Sequence, residues 1–493
     1  MKIKTTLIAS LILLVLSCAE DEPGTGLNDN DGPTIFFTSP DNNAIVSDTV
    51  YITCESADAS GVYKVELWIN NDSTSIADET EPYVLSWATN DYQNGQYSIF
   101  IRSYDIAGNK SDSDNRIIRV NNFTTFGKTF GEPFINEIGY SILQNSDSSI
   151  IILGGTENNN YDLTLLKTDR QGLIIWENTF GGSGYDIAYN LEKTTDSGYL
   201  ISGTTKSYGQ GESDCWLIKT DYLGTIVWNK TYGTSGLENG GQAIEIDEGY
   251  LFIGDTYNPE EQNQNIFLIR ANGLGDTLWT KQFGDSETDY GDDIVATVDG
   301  GYMILGSTKQ FSILNFDIWM IKIDTDGIEQ WNKYHGSGSD DYGQTILYLS
   351  DGTYLIKAIS NAFGNENSSV ILLKTDAYGN EEWTKSFGGT NSNPGNTIRE
   401  TDDGSFIMAS SKYDYGNNDY DIWLIKIDKN GLVEWEKTFG GINSDLGLSV
   451  DMAVDGGYII TGSTRTLGNG DENSSDLWLI KTDSEGNTIA ESE

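Results

Sequence analysis

At 493 residues the chain is longer than one hydrophobic core usually serves, so at least two domains are expected. Its 75 Asp and Glu against 29 Lys and Arg give a formal net charge of -46, a field that repels phosphate backbones and anionic headgroups alike. Nucleic acid is therefore excluded as an expected partner. Aromatic residues at 11% and apolar residues in short regular runs set the chain apart from acidic disordered sequences.

Lys2 and Lys4 precede an apolar run from Leu7 to Leu16, too short to span a bilayer permanently and built like a secretory signal. The run ends in Val15-Leu16-Ser17-Cys18, which resembles the lipobox of bacterial lipoproteins. That resemblance implies lipidation at Cys18, a signal peptide over 1–18 and contact with the membrane only through the lipid anchor. The acidic Ala19-Glu20-Asp21-Glu22 resembles the export signal that sends lipoproteins of Bacteroidetes-type bacteria to the outer face of the outer membrane. Composition alone reads the same residues as an acidic tether, the start of an acidic and Gly-rich linker over 19–32.

Residues 33–121 alternate apolar and polar with period two: Val50, Ile52, Cys54; Val65, Leu67, Ile69; Tyr97, Ile99, Ile101. One apolar face per strand, with Gly, Asn, Asp and Pro between strands, predicts a small antiparallel sandwich. The wording GVYKVELWIN and EPYVLSWATNDYQNGQYSIFIRSYDIAGN resembles bacterial immunoglobulin-like domains, which implies a spacer. Cys54 and Cys215 fall in different predicted domains, so no disulfide framework follows and both read as buried thiols.

From residue 122 to the end, a G-x-x-x-W-x-K-T-F-G-G stretch recurs with its aromatic anchor at Phe126, Trp176, Trp228, Trp279, Trp331, Trp383 and Trp435, in steps of 50, 52, 51, 52, 52 and 52. Each unit reads as four strands. Two of its links are tight turns, D-x-G-Y (Asp196 to Tyr199) and T-D-x-x-G (Asp221 to Gly224), in which Asp accepts backbone N–H groups and Gly takes a positive φ. Seven such units predict an all-β chain: an immunoglobulin-like β-sandwich followed by a seven-bladed β-propeller of four-stranded blades over 122–493. The Trp is read as packing between blades. The first strand, FTTFGKTFG, matches the Trp-bearing strand and is expected to complete the last blade, since the tail has Ala490 where that Trp would stand. The spacing resembles kelch and quinoprotein-type propellers, and the W-x-K-T-F-G-G, D-G-G-Y and D-x-W-L-I-K-T-D wording resembles a repeat of uncharacterised Bacteroidetes surface proteins. The resemblance implies the fold and no activity.

If the tight turns share one face, the long, variable links share the other, and binding is expected there. Tyr208, Tyr257, Phe311, Phe316, Phe363, Tyr413, Tyr415 and Tyr420 set aromatic surface among carboxylates and amides, suited to stacking on sugar rings and equally to a protein interface; they also serve to fold their own loops. An acid precedes each inner strand at Glu137, Asp186, Glu238, Asp289, Asp341 and Asp445, with Asn393 at the sixth place. These acids read either as a ring of oxygen ligands for a hard cation such as calcium or, the favoured reading, as turn acceptors repeated because the turn is repeated. The sole histidine, His335, stands at a glycine position of the repeat and offers no triad or zinc chemistry. Carboxylate catalysis by a glycosidase or lyase stays open among Asp289, Asp292, Asp293, Asp340 and Asp341. The functional expectation is a surface-displayed binding or scaffold protein for a glycan or protein ligand, the alternative a carbohydrate-active enzyme on the same face.

Overall fold

The computed structural model describes residues 30–488 except 93, 123–124, 159, 261, 310–314, 362–368, 389–396, 415, 417 and 469–473. The expected signal segment, Cys18, Phe311, Phe363, Asn393 and Tyr415 lie outside the described residues. The chain divides into two compact units, residues 1–122 and 123–493. Among the described residues the only helix is a single 3-10 turn, Thr89–Asp91.

The first unit holds a three-stranded sheet (Thr34–Ser39, Thr49–Ala57, Val84–Ala88) and a six-stranded sheet built around Gly95–Asp105 and Val62–Ile69. The period-two residues face one another between them: Ile52, Cys54, Val65, Leu67, Ile69, Ile99 and Ile101 form one core around Trp87, which is fully buried. All pairings are antiparallel except Ile45–Val46, which runs parallel to Arg116–Val120. Cys54 is a buried thiol, pushed up to about 12 by desolvation and the charge of Asp78.

The second unit contains seven four-stranded antiparallel sheets, a propeller-like all-β arrangement. The second sheet is typical, with Asp186–Lys193, Tyr199–Thr205, Asp214–Thr220 and Ile226–Tyr232 in spatial order. The first of these is the inner strand and touches its counterparts in both neighbouring sheets. The last is the outer strand, half exposed and carrying the Trp. Sheet boundaries are thus offset from the sequence units: the Trp-bearing strand that opens a unit finishes the preceding sheet. Phe126–Phe130 accordingly pairs antiparallel with Asp476–Thr482 and supplies the outer strand of the seventh sheet.

Each Trp packs on the next sheet through a glycine. The T-D-x-x-G glycines have positive φ (Gly275, +79°), and a Cβ there would come within 2.9 Å of the Trp228 ring. Gly224, Gly327, Gly379, Gly431 and Gly486 meet Trp176, Trp279, Trp331, Trp383 and Trp435 in the same way, and Gly172 meets Phe126. Only glycine meets both demands, left-handed backbone and no side chain. The first and seventh sheets are also joined by hydrogen bonds from Glu137 N to Ser475 O (2.7 Å), Ile142 N to Ser449 Oγ (3.3 Å) and Val454 N to Gln144 Oε1 (2.7 Å). The repeated lysines brace the D-x-G turns: Lys219 to Asp196 (2.8 Å), Lys322 to Asp299 (3.0 Å), Lys426 to Asp403 (2.6 Å) and Lys481 to Asp455 (2.7 Å).

Candidate functional site

The acids at the head of the inner strands do not converge. Each side chain turns onto the loop beside its own strand. Asp186 accepts Gly182 N (3.0 Å) and Ser207 Oγ (2.6 Å); Glu238 accepts Thr234 N (2.8 Å) and Thr256 Oγ1 (3.0 Å). Asp289 accepts Asp285 N (3.1 Å), Asp341 accepts Ser337 N (2.6 Å), Asp445 accepts Gly441 N (3.0 Å) and Glu137 accepts Glu132 N (3.2 Å). All six are buried, and among the described residues no group of three or more His, Cys, Asp or Glu is placed to hold a metal ion. Each of the six acids thus acts as a turn acceptor for its own loop, as the favoured sequence reading expects. Burial pushes Glu137 up to about 7 and Asp289 to about 6.

The aromatic residues expected in loops mostly sit on strand ends. Tyr257 closes Gly249–Asn258, Phe316 opens Phe316–Ile323, and Tyr413 pairs with Tyr420 across Phe406–Asp414 and Asp419–Ile427. The ladders run past the hydrophobic stretch into the polar wording, which sequence patterning reads as loop. Tyr208 is the exception. It is 47% exposed in its loop, where its hydroxyl donates to Gly181 O (2.5 Å) and its ring lies 5.5 Å from that of Trp216, so it holds the loop it belongs to. Tyr413 donates to Asn418 Oδ1 (2.7 Å) and meets Tyr420 edge-on at 5.2 Å.

Phe316 is different. It lies between Tyr290 (centroids 5.5 Å) and Tyr342 (5.0 Å), the second residues of the fourth and fifth inner strands, Asp289–Ala296 and Asp341–Tyr348. Asp340 Oδ1 fixes it by accepting the Phe316 N–H (3.0 Å). Three partly exposed rings so form one surface at the end of the unit where the inner strands begin.

Next to it, where the inner strands converge, is a cavity of about 490 Å³. Its wall comes from a feature the sequence reading passed over. Pairing shifts by one residue in the inner strands between Gly139 and Ser141, Ala188 and Asn190, Gly291 and Asp293, Gly343 and Thr345, and Gly447 and Ser449. The bulge residues Tyr140, Tyr189, Asp292 and Gln344 line the cavity, with Gly241 at the matching place in the third sheet and Arg399 as its one cationic wall residue among those described. Bulges re-aim side chains in this way near functional sites. The signal was legible as x-[Gly/Ala]-x after each acid, in which the second variable position is the bulge.

Polar residues at the matching place in the fourth, sixth and seventh inner strands link neighbouring sheets. Asp293 Oδ2 accepts Thr345 Oγ1 (2.7 Å) and Ile346 N (2.9 Å), and its Oδ1 accepts Ile294 N (2.7 Å). Thr397 Oγ1 accepts Val450 N (2.7 Å), and Ser449 Oγ accepts Ile142 N. Asp293, a candidate catalytic acid by sequence, thus has the place and bonds of a brace. Asp292 Oδ2 accepts Ser307 Oγ (2.7 Å) and Asp255 Oδ1 accepts Gly291 N (2.6 Å); burial raises both carboxyls, Asp255 to about 7. Lys357, fully buried, donates to Gln344 Oε1 (2.9 Å) and is pushed down to about 7 by desolvation. His335 donates from Nε2 to Gly379 O (3.0 Å).

Residues 33–101 match the bacterial Ig domain family, which suggests an extracellular or surface protein. No curated protein matches the chain. Among solved structures, fibronectin(III)-like modules of Clostridium thermocellum CbhA are similar at 18% identity, covering 18% of this chain and 96% of theirs, with a TM-score of 0.16. A protein of unknown function from Dyadobacter fermentans is similar at 9% identity over 72% of this chain and 97% of its own (TM-score 0.43). The β-propeller domain of the Pyrococcus furiosus Trilobed protease is similar at 10% identity, over 72% and 97%, with a TM-score of 0.43. The class defined by fold and match together is an all-β protein with an Ig-like first unit and a propeller-like second unit of four-stranded sheets. No helix among the described residues is long and apolar enough to cross a membrane.

Proposed function

We propose that this is an exported, lipid-anchored cell-surface protein whose second unit is a closed seven-bladed propeller that binds a glycan at the face where the inner strands begin. The observation that carries the reading is the Tyr290–Phe316–Tyr342 surface beside a polar cavity, apolar ring faces next to hydrogen-bonding groups, the pairing a sugar demands. The Gly172–Phe126 contact and the pairing of Phe126–Phe130 with Asp476–Thr482 support closure by the N-terminal strand. The lipobox-like Val15–Cys18 and the Ig match support the surface address. A carbohydrate-active enzyme is the second reading, favoured by the acids Asp255, Asp292 and Asp293 in the cavity wall. Affinity gels carrying a panel of polysaccharides, with released reducing ends assayed in the same samples, test both. Retardation without release is expected; release promotes the enzyme, and neither result on any polysaccharide redirects the search to protein partners.

A further inference from the structure

The inner strands repeat one backbone and vary one side chain. Around each bulge the glycine or alanine before it and a polar residue after it recur, while the bulge residue changes from Tyr140 and Tyr189 to Gly241, Asp292 and Gln344 in the cavity wall and to the buried Leu448 in the seventh sheet. In a repeat, what recurs belongs to the scaffold, and what varies at a fixed geometric place is available to a ligand. Gly241, without a side chain, opens the wall toward the third sheet between the two tyrosines and Asp292. Lys357 is the one charged residue at a place where equivalent strands carry Leu305, Ile253, Leu153, Ser202 and Thr461. It donates to the side-chain oxygen of Gln344, itself part of the cavity wall. The carboxyls in the wall are each engaged by a neutral donor, Asp292 by Ser307 and Asp255 by Gly291 N. Arg399 lies 3.6 Å from Asp451, which offsets its charge. A wall of tyrosine rings, an amide and carboxyls each held by neutral donors suits groups that both donate and accept.

We infer that these bulge positions are the specificity filter of the glycan site and that they admit the uncharged, hydroxyl-rich end of a sugar chain. The inference rests on the glycan reading and narrows it. Isothermal titration of the full chain with neutral cello- and xylo-oligosaccharides, oligogalacturonate and chitosan oligomers tests it, repeated with Tyr189→Ala and Gln344→Ala. A neutral oligosaccharide is expected to bind, about tenfold more weakly to Tyr189→Ala and Gln344→Ala. Binding that is unchanged in both alanine variants overturns the filter and leaves the glycan reading standing. Preference for a charged probe overturns the uncharged class. No binding to any probe overturns filter and glycan reading together. Because Gln344 lies on the cavity wall, its variant still decides the matter if Tyr189→Ala fails to fold.

Discussion

Asp293 shows how much one residue's neighbours matter to its assignment. Two adjacent acids within one inner strand are a reasonable catalytic pair on sequence alone. The structure separates them, with Asp292 on the bulge and Asp293 holding Thr345 and Ile346 of the next sheet. Asp293→Ala leaves the buried Ile346 N–H without its acceptor and is expected to destabilise the protein by about 1–3 kcal/mol, read from the urea midpoint. A midpoint unchanged from the parent would remove the bracing role. Gly275→Ala is expected to cost about 1–2 kcal/mol, because it adds a Cβ at a φ of +79° and against the Trp228 ring. The same substitution at Gly273, where a Cβ would meet nothing, serves as the control and should leave the midpoint nearly in place. The repeated acids, glycines and Trp residues were legible as scaffold because they recur. The bulge residues were not read as a set, because a bulge is a shift of register between two strands; the x-[Gly/Ala]-x after each acid marks its place only once the partner strand is known.

Strand existence and order followed from the pattern, including the pairing of the first strand with the last. That pairing was legible because FTTFGKTFG repeats the wording of the outer strands while the tail does not. Strand ends were not legible. Tyr257, Phe316, Tyr413 and Tyr420 read as loop residues because Asn, Asp and Gln surround them, yet the backbone ladder continues through them, and only the partner strand decides where a ladder stops. If Phe126–Phe130 completes the seventh sheet, a chain starting after residue 130 exposes Asp476–Thr482 as an open edge. Such a truncation is expected to associate in size-exclusion chromatography and melt below a chain starting at Phe123. Equal melting and monomeric elution of both would show that the strand is dispensable.

At the scale of the molecule, buried acids decide the response to pH. Glu192 is pushed up to about 8, Glu137 and Asp255 to about 7, and Asp289, Asp293 and Asp421 to about 6, each chiefly by desolvation. A carboxyl whose folded pKa exceeds its unfolded value keeps its proton in the native state across the interval between them, so the native state is favoured at the acid end and loses stability as pH rises. Asp196 and Asp299, held down to about 2 by Lys219 and Lys322 and turn hydrogen bonds, act in the opposite sense, but only below about pH 4. His335, lowered by burial, opposes the acids as a single group, and Lys357 acts mainly above pH 7. Calorimetry between pH 5 and 7 is therefore expected to give the higher melting temperature at pH 5; a rise toward pH 7 would mean that these carboxyls are ionised and solvated in the folded protein.

Address, scaffold and face together make the central claim that the aromatic surface beside the cavity is where this protein meets a glycan. The most direct measurement compares the full chain with its Phe316→Ala/Tyr342→Ala variant on affinity gels carrying neutral polysaccharides, with a gel lacking polysaccharide as reference. The account predicts retardation of the parent on at least one polysaccharide, largely relieved in the variant, with both proteins running alike on the reference gel. Equal mobility of parent and variant on every polysaccharide would contradict it.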